Sequence, residues 1–272
     1  MAGKKRLDLL LVERGLVSTR SRARAAIMAG QVLVDNQVVD KAGALVPDSA
    51  QVELKGGDLP FVSRGGLKLA KAIKEFGIDL RGRKVLDIGA STGGFTDCCL
   101  QAGAALVYAV DAGYGQLAWS LRTNPAVVNL ERTNVRYLSR EQLTRGLPDF
   151  ACIDVSFISL RLVLPVVAEL LAEPGEVVML IKPQFEAGRE QVGKGGVVRD
   201  AKIHRQVLAG VLAKAEELGF VLWHLDFSPV QGPHGNIEYL AHGFFRGPAR
   251  EFAPPSPEYT VKKAHEYFAQ NR

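Results

Sequence analysis

Leu7, Leu10 and Leu11 stand at the three- and four-residue spacing of one helix face, and Arg14 continues that row before Gly15, a residue suited to end a helix. Ser18 or Thr19 then suits the N-cap of a second helix running to about Ala29. From there the period drops to two. Gln31 to Asp35, Gln37 to Val39 and Gln51 to Leu54 alternate apolar with polar positions around the turn Asp35-Asn36, which predicts a small β-meander. Gly56-Gly57-Asp58-Leu59-Pro60 breaks the pattern and reads as a linker. The expected organisation is a small domain over 1–56, a linker over 57–62, a large domain over 63–246 and a C-terminal tail over 247–272 that ends in a short helix near Gln270.

Beyond the linker, apolar runs alternate with amphipathic segments. Strands are expected at about 84–88, 106–110, 127–130, 149–154, 176–181, 219–227 and 237–245, with helices between most of them, which is the signature of an α/β sheet. A chain of 272 residues with 47% hydrophobic composition can bury the core such a sheet needs. No stretch approaches the roughly 18 to 20 uninterrupted apolar residues of a membrane span, because even Leu160 to Leu171 contains Arg161, Pro165 and Glu169. Met1 to Arg6 lead into Leu7 to Val12 without a signal-peptide pattern, so a cytoplasmic location is expected. Cys98, Cys99 and Cys152 have no metal-knuckle spacing and the five histidines show none either, so neither a metal nor a disulfide framework is expected.

Charge changes the picture at the N-terminus. The formal net charge is +5, and residues 1–33 carry Lys4, Lys5, Arg6, Arg14, Arg20, Arg22 and Arg24 against Asp8 and Glu13. A clustered excess of this kind fits a polyanionic partner, although a solvated helix face would look the same. A second basic stretch runs from Arg64 through Lys68, Lys71 and Lys74 to Lys84, and the glycine-rich segment Phe185 to Val198, with Arg189 and Lys194, reads as a mobile loop able to close over RNA or as an ordinary exposed loop.

Lys84-Val85-Leu86-Asp87-Ile88 opens into Gly89-Ala90-Ser91-Thr92-Gly93-Gly94-Phe95, a strand followed by a glycine-rich turn and a helix start, where a ligand can approach backbone. As a dinucleotide fingerprint the turn fails, since Ser91 occupies the third position of G-x-G-x-x-G. As a hydrolase elbow it matches G-x-S-x-G, with Ser91 as nucleophile, Asp154 or Asp226 as the acid and His234 as the base, but no oxyanion segment lies upstream. As a methyltransferase cofactor loop, Asp87 can accept from backbone or from the cofactor's ammonium, and Gly89, Ala90, Ser91, Thr92, Gly93, Gly94 and Phe95 wrap the amino-acid moiety. Asp111, ending the next strand, can accept both ribose hydroxyls, and Asn134 follows the third strand within reach of an adenine edge. Three ligand contacts at the ends of three successive strands favour this third reading, with S-adenosylmethionine as the cofactor.

Four further polar residues stand where apolar strands end or helices begin: Lys68, Asp154, Lys182 and Glu238. Charges bordering buried strands are costly unless paired or functional, so they form either two structural salt bridges or a Lys-Asp-Lys-Glu tetrad.

Two resemblances bear on that choice. Ser21-Arg22-Ala23-Arg24-Ala25-Ala26-Ile27-Met28-Ala29-Gly30-Gln31-Val32-Leu33-Val34-Asp35 resembles an S4 domain, which implies an α+β module over about residues 6–56 that grips RNA through Arg6, Arg20, Arg22 and Arg24, with Arg64 beside it. Residues 63–240 resemble the RrmJ/FtsJ-type ribose methyltransferases, and together with the S4-like segment they look like the TlyA, or haemolysin A-like, family. The motifs are Ser63-Arg64-Gly65-Gly66-Leu67-Lys68-Leu69, Gly89-Ala90-Ser91-Thr92-Gly93-Gly94-Phe95-Thr96, Asp111-Ala112-Gly113-Tyr114-Gly115-Gln116-Leu117, Glu131-Arg132-Thr133-Asn134, Asp154-Val155-Ser156-Phe157-Ile158-Ser159-Leu160, Lys182-Pro183-Gln184-Phe185-Glu186 and Gly235-Asn236-Ile237-Glu238-Tyr239. The resemblance implies a Rossmann-like class I methyltransferase sheet with helices on both faces. It also implies cytidine 2′-O-methylation of 16S or 23S ribosomal RNA within ribosomal subunits, without membrane or metal; no oligomeric state is implied. Within the tetrad, Lys182 is expected to deprotonate or orient the 2′-hydroxyl, Asp154 to position Lys182 and also to border the cofactor, and Glu238 to fix Lys68 or the ribose. An RNA- or ribosome-binding protein with an inactive methyltransferase fold is the alternative. The haemolysin name suggests pore formation, which the lack of a spanning or strongly amphipathic segment makes a poor match.

Overall fold

A computed structural model of the chain describes residues 3–17, 19–28, 30–54, 59–249, 253 and 255–271, which fall into two compact units, Met1–Ser63 and Arg64–Arg272. The proposed linker residues 57 and 58, the N-cap candidate Ser18 and the helix end Ala29 lie outside the described residues.

In the first unit β1 (Lys4–Arg6) leads into α1 (Leu7–Glu13) and α2 (Arg20–Met28), followed by β2 (Val32–Val34), β3 (Gln37–Val38), β4 (Leu45–Pro47) and β5 (Val52–Leu54). Leu7, Leu10 and Leu11 are fully buried against Ala23 and Ile27, so the two helices meet along the face the spacing marked. Thr19 Oγ1 accepts from Arg22 N at 3.2 Å and caps α2. The expected meander takes another form. β2 is central, with β3 on one edge and β5 on the other, and β1 pairs with β4 in a separate ribbon. Both residues of β3 are exposed, whereas Val52 of β5 is buried opposite Val34 of β2. A strand of three residues ending in Pro47 carries too little alternation to be read in advance.

The second unit begins with α3 (Gly65–Phe76), then alternates β6 (Lys84–Ile88), α4 (Gly94–Gln101), β7 (Leu106–Val110), α5 (Trp119–Arg122), β8 (Val127–Leu130), β9 (Phe150–Ile153), α6 (Leu160–Leu170) and β10 (Gly175–Ile181). The short α7 (Pro183–Glu186) and the long α8 (Ala201–Glu217) precede β11 (Phe220–Phe227), β12 (Tyr239–Phe245) and α9 (Pro257–Gln270). The strands form one sheet in the order β11-β12-β10-β9-β6-β7-β8, in which β8, β7, β6, β9 and β10 are parallel and β12 inserts antiparallel between β10 and β11. Every residue of β7 and β10 is buried, as expected for strands covered on both faces. Leu86, Ile88, Ala151 and Ile153 pack with α6, α8 and α9, while Asp87 and Cys152 turn to the opposite face, toward α4.

The segment expected as a tail is part of this packing. Thr260, Val261 and Ala264 of α9 are buried, and the helix lies on α8 and β11. Likewise, the glycine-rich segment over 185–198 is held at its end, where Val198 N donates to Asn236 Oδ1 at 3.2 Å and Val198 O lies 2.9 Å from His204 Nε2.

Candidate active site

The chain enters the sheet at β6, builds outward through β7 and β8, and returns to β9 on the other side of β6. Ligands of open α/β sheets bind where the strand order reverses in this way, outside the carboxyl ends. Gly89 follows β6 and Asp154 follows β9, so both stand at that point. Gly89 has φ +88°, and a Cβ on it would collide with the carbonyl of Asp154. Only glycine fits the position.

A cavity of about 760 Å³ opens here, lined among others by Gly89, Ser91, Asp111, Asn134, Asp154 and Phe157. Asp111 Oδ2 accepts from Ser91 N at 2.7 Å and Oδ1 from Gly113 N at 2.6 Å, which joins the ends of β6 and β7. A carboxylate has about four acceptor sites, so two remain for a ligand. Asn134 Oδ1 accepts from Arg136 N at 3.1 Å, which leaves its amide N–H groups as donors. Within the glycine-rich turn only Gly89 and Ser91 line the cavity; Thr92 is exposed, and Ala90, Gly93, Gly94 and Phe95 are buried and shape the turn from behind.

Asp87 is completely buried. Thr96 Oγ1 donates to its Oδ2 at 2.6 Å, while Oδ1 has no partner. Burial pushes its carboxyl up to about 7, against the Thr96 bond, and the charge of Asp154 pushes in the same direction as burial. The cleared backbone at Gly89 and the open acceptor sites of Asp111 fit a ligand with a ribose, while Asp87 lies outside the cavity lining.

Lys182, Asp154, Lys68 and Glu238 come together as a chain of ion contacts. Lys182 Nζ lies 2.5 Å from Asp154 Oδ1 and donates to Ser156 Oγ at 3.1 Å. Lys68 Nζ lies 3.8 Å from Asp154 Oδ2 and donates to Glu238 Oε2 at 2.6 Å. The Lys182 contact lacks hydrogen-bond alignment, so Asp154 Oδ1 keeps an unused acceptor direction. Side-chain exposures of 8% for Lys182, 17% for Asp154, 11% for Lys68 and 1% for Glu238 put this alternation of charge at the dry edge of the sheet, with Asp154 shared by the cavity wall.

The elbow reading of Ser91 does not survive this geometry. Its hydroxyl donates to Gln116 Oε1 at 3.1 Å, Asp154 belongs to the lysines, Asp226 pairs with Lys71 at 2.8 Å, and His234 lines a different cavity beside Arg199 and His265. A nucleophile needs its base within hydrogen-bond reach, and no histidine among the described residues is bonded to Ser91.

Four supporting residues went unassigned in the sequence: Thr96, Gln116, Glu131 and Ser156. Glu131 accepts from Arg122 at 2.6 Å and Gln116 N at 3.1 Å, and the Arg122 bond holds its carboxyl down at about 2, fixing the loop that presents Gln116 to Ser91. All four lie inside the motif segments quoted above, which was the available signal.

In the first unit, Asp8 is fully buried and accepts from Arg6 Nε at 3.0 Å and Arg20 Nε at 2.9 Å. These two arginines therefore hold the fold as well as offering charge. Arg24 is exposed on α2, as is Arg64 at the start of α3.

Comparison with known proteins places these features. The FtsJ-like methyltransferase family matches residues 61–245, and the S4 domain family matches residues 5–52. YqxC of Bacillus subtilis (strain 168), provisionally described as an rRNA methyltransferase, is 52% identical over 248 residues, 91% of this chain and 88% of its own. The 16S/23S rRNA (cytidine-2′-O)-methyltransferase TlyA of Mycobacterium tuberculosis is 46% identical over 244 residues, 88% of this chain and 90% of its own. A solved structure from Streptococcus thermophilus, provisionally described as a hemolysin, superimposes with a TM-score of 0.80 at 48% identity and covers 100% of this chain and 99% of its own. No helix among the described residues is long and apolar enough to cross a membrane.

Proposed function

Since the chain belongs to the FtsJ-like methyltransferase family and carries an S4 domain, we propose that it methylates the ribose 2′-hydroxyl of a cytidine in ribosomal RNA, with S-adenosylmethionine as donor. The observation that carries this reading is the chain of contacts Lys182–Asp154–Lys68–Glu238 on the wall of the cavity at the switch point. The activity named for TlyA, a relative that aligns along nearly its whole length, supplies the substrate class.

Bound, the cofactor supplies a methyl group already activated on a sulfonium. Gly89, Asp111 and Asn134 line the cavity and would hold it, with a bare backbone, open carboxylate acceptors and an amide donor, while Asp87, buried behind the turn and outside the cavity lining, would support the turn. The protein's remaining tasks are to orient the acceptor hydroxyl and to manage one proton. Lys182 is anchored on two sides by Asp154 and Ser156, which aims its ammonium. Anchored in this way, Lys182 orients the 2′-hydroxyl for in-line attack on the methyl group. Lys68, held by Glu238, balances the charge on the other oxygen of Asp154. The S4 unit contributes phosphate contacts through Arg24, with Arg6, Arg20 and Arg22 beside it, and works in the cytoplasm on RNA assembled in a ribosomal subunit.

Incubation with separated small and large ribosomal subunits and labelled S-adenosylmethionine tests the reading. Label is expected in the RNA of at least one subunit; cofactor binding without transfer to either favours an inactive, RNA-binding protein instead.

A further inference from the structure

Glu186 ends α7, four residues after Lys182, and its carboxylate closes the start of another helix. Oε1 accepts from Leu160 N at 2.7 Å and Oε2 from Ser159 Oγ at 2.6 Å, while Ser159 Oγ itself accepts from Arg161 N at 3.1 Å. The first N–H groups of a helix have no partner within it, so α6 takes one of its caps from a separate segment of chain. The carboxylate is partly buried; burial raises its pKa, opposed by the Ser159 and Leu160 bonds and by the charge of Arg161.

The same two segments are joined at their other ends. Lys182 reaches Asp154 and Ser156, and between the two ties the rings of Phe185 and Phe157 meet with centroids 5.1 Å apart. Residues 182–186 and 154–160 are thus laced at three points, and one of the laced strips is a wall of the cavity. A helix of four residues is too short to hold itself, because the cost of nucleating one turn is not recovered by propagation. The far end of α7 is fixed by Glu186, beside the burial of Pro183 and the contacts of α7 with α8, so Glu186 is one of the groups that sets the alignment of Lys182 against Asp154.

We propose that Glu186 is a positioning residue for methyl transfer: its tie to Ser159 and Leu160 sets the register of Lys182 on Asp154 and Ser156. This rests on the reading that Lys182 handles the 2′-hydroxyl. Glu186 touches neither substrate nor cofactor; it acts through the two loops it joins. Replacing it with alanine leaves Leu160 N and the Ser159 hydroxyl proton without their acceptor and frees α7 to shift, and a displacement of about 1 Å at the reacting group is enough to cost up to about 10²-fold in rate.

The test compares full-length Glu186→Ala and Glu186→Gln with the parent chain on ribosomal RNA, with rates expressed per cofactor-binding site so that unfolded protein drops out. Glu186→Ala is expected to lower kcat about tenfold or more while KM for RNA and the cofactor Kd change less than about threefold. Glu186→Gln still accepts from Leu160 N and can donate to Ser159 Oγ, so it is expected to recover most of the rate. An alanine variant within about twofold of the parent in kcat per site, or a glutamine variant as slow as the alanine one, overturns the proposal. If Glu186→Ala yields no folded protein, Ser159→Ala cuts one of the two bonds of the tie; a reduced kcat with an unchanged cofactor Kd is expected, and an unchanged kcat overturns the proposal. Failure of the underlying reading looks different: the parent chain then transfers no methyl to RNA, and the role assigned to Glu186 falls with it.

Discussion

Lys182 Nζ and Asp154 Oδ1 meet at 2.5 Å because β10 and β9 are adjacent parallel strands whose carboxyl ends release the two side chains side by side. Neighbouring parallel strands lie about 5 Å apart, so residues following each are within side-chain reach across the sheet edge. Lys182→Ala is expected to lower methyl transfer by about 10²- to 10⁴-fold while leaving the cofactor Kd nearly unchanged, since the lysine is absent from the cavity lining. Single-turnover kinetics beside calorimetric cofactor binding separates the two. Retained turnover removes Lys182 from the mechanism.

Asp87 ties stability to pH. Its carboxyl has a pKa of about 7 in the fold against 3.8 as the ordinary value, so folding takes up a proton between those limits. The stability this group confers is greatest below the lower value, falls as pH rises through the window, and levels off above about 7. Asp87→Asn cannot ionise. Urea denaturation of the cofactor-free protein at pH 5 and pH 8 is expected to show the parent losing stability relative to Asp87→Asn as pH rises; parallel behaviour of the two proteins contradicts the assignment.

Gly89→Ala introduces a Cβ against the Asp154 carbonyl at a positive φ. A cost of about 1–3 kcal/mol is expected from the backbone alone, with weaker cofactor binding because Asp154 must move. Denaturation and cofactor titration measure the two effects, and wild-type values in both would show that the turn tolerates a side chain.

Arg24 and Arg20 should differ although both sit on α2. Arg24→Ala is expected to weaken RNA binding uniformly and to reduce the slope of log K against log salt by about one, with unchanged stability. Arg20→Ala also removes a partner from the buried Asp8, whose carboxyl is held down at about 2 chiefly by the Arg6 bond, so it should lower the melting point of the S4 unit as well. Equal melting points for the two variants would show that the Asp8 contact is not structural.

Ser91→Ala removes one exposed hydrogen bond to Gln116 while leaving the backbone bond from Ser91 N to Asp111 in place. Methyl transfer is expected to fall by less than about threefold, within the worth of a single solvent-exposed hydrogen bond. A much larger loss would assign the hydroxyl a direct role in binding the cofactor.

Sequence spacing revealed the sheet strands because most are predominantly apolar runs bounded by polar residues, and it marked the tetrad because Lys182 and Asp154 are charges at the ends of such runs. In the first unit β1 and β4 eluded it: each has three residues, too few for a period. The packing of α9 was hidden for a different reason. Val261 and Ala264 are a thin apolar stripe on a polar helix, and only the surface of α8 and β11 shows what they cover. Within the glycine-rich turn, spacing could not tell Gly89 and Ser91, which face the cavity, from Gly93, Gly94 and Phe95, which face the core. Asp87 was legible as an acid at a strand end, but its complete burial and unpaired oxygen follow from which face of β6 it occupies.

The most direct measurement is the chemical position of the transferred methyl group. Ribosomal RNA labelled by the parent chain and hydrolysed in alkali is expected to keep its label in an alkali-resistant dinucleotide containing 2′-O-methylcytidine, with none after Lys182→Ala. Label on a base, on another nucleoside, or persisting in the Lys182→Ala reaction would contradict it.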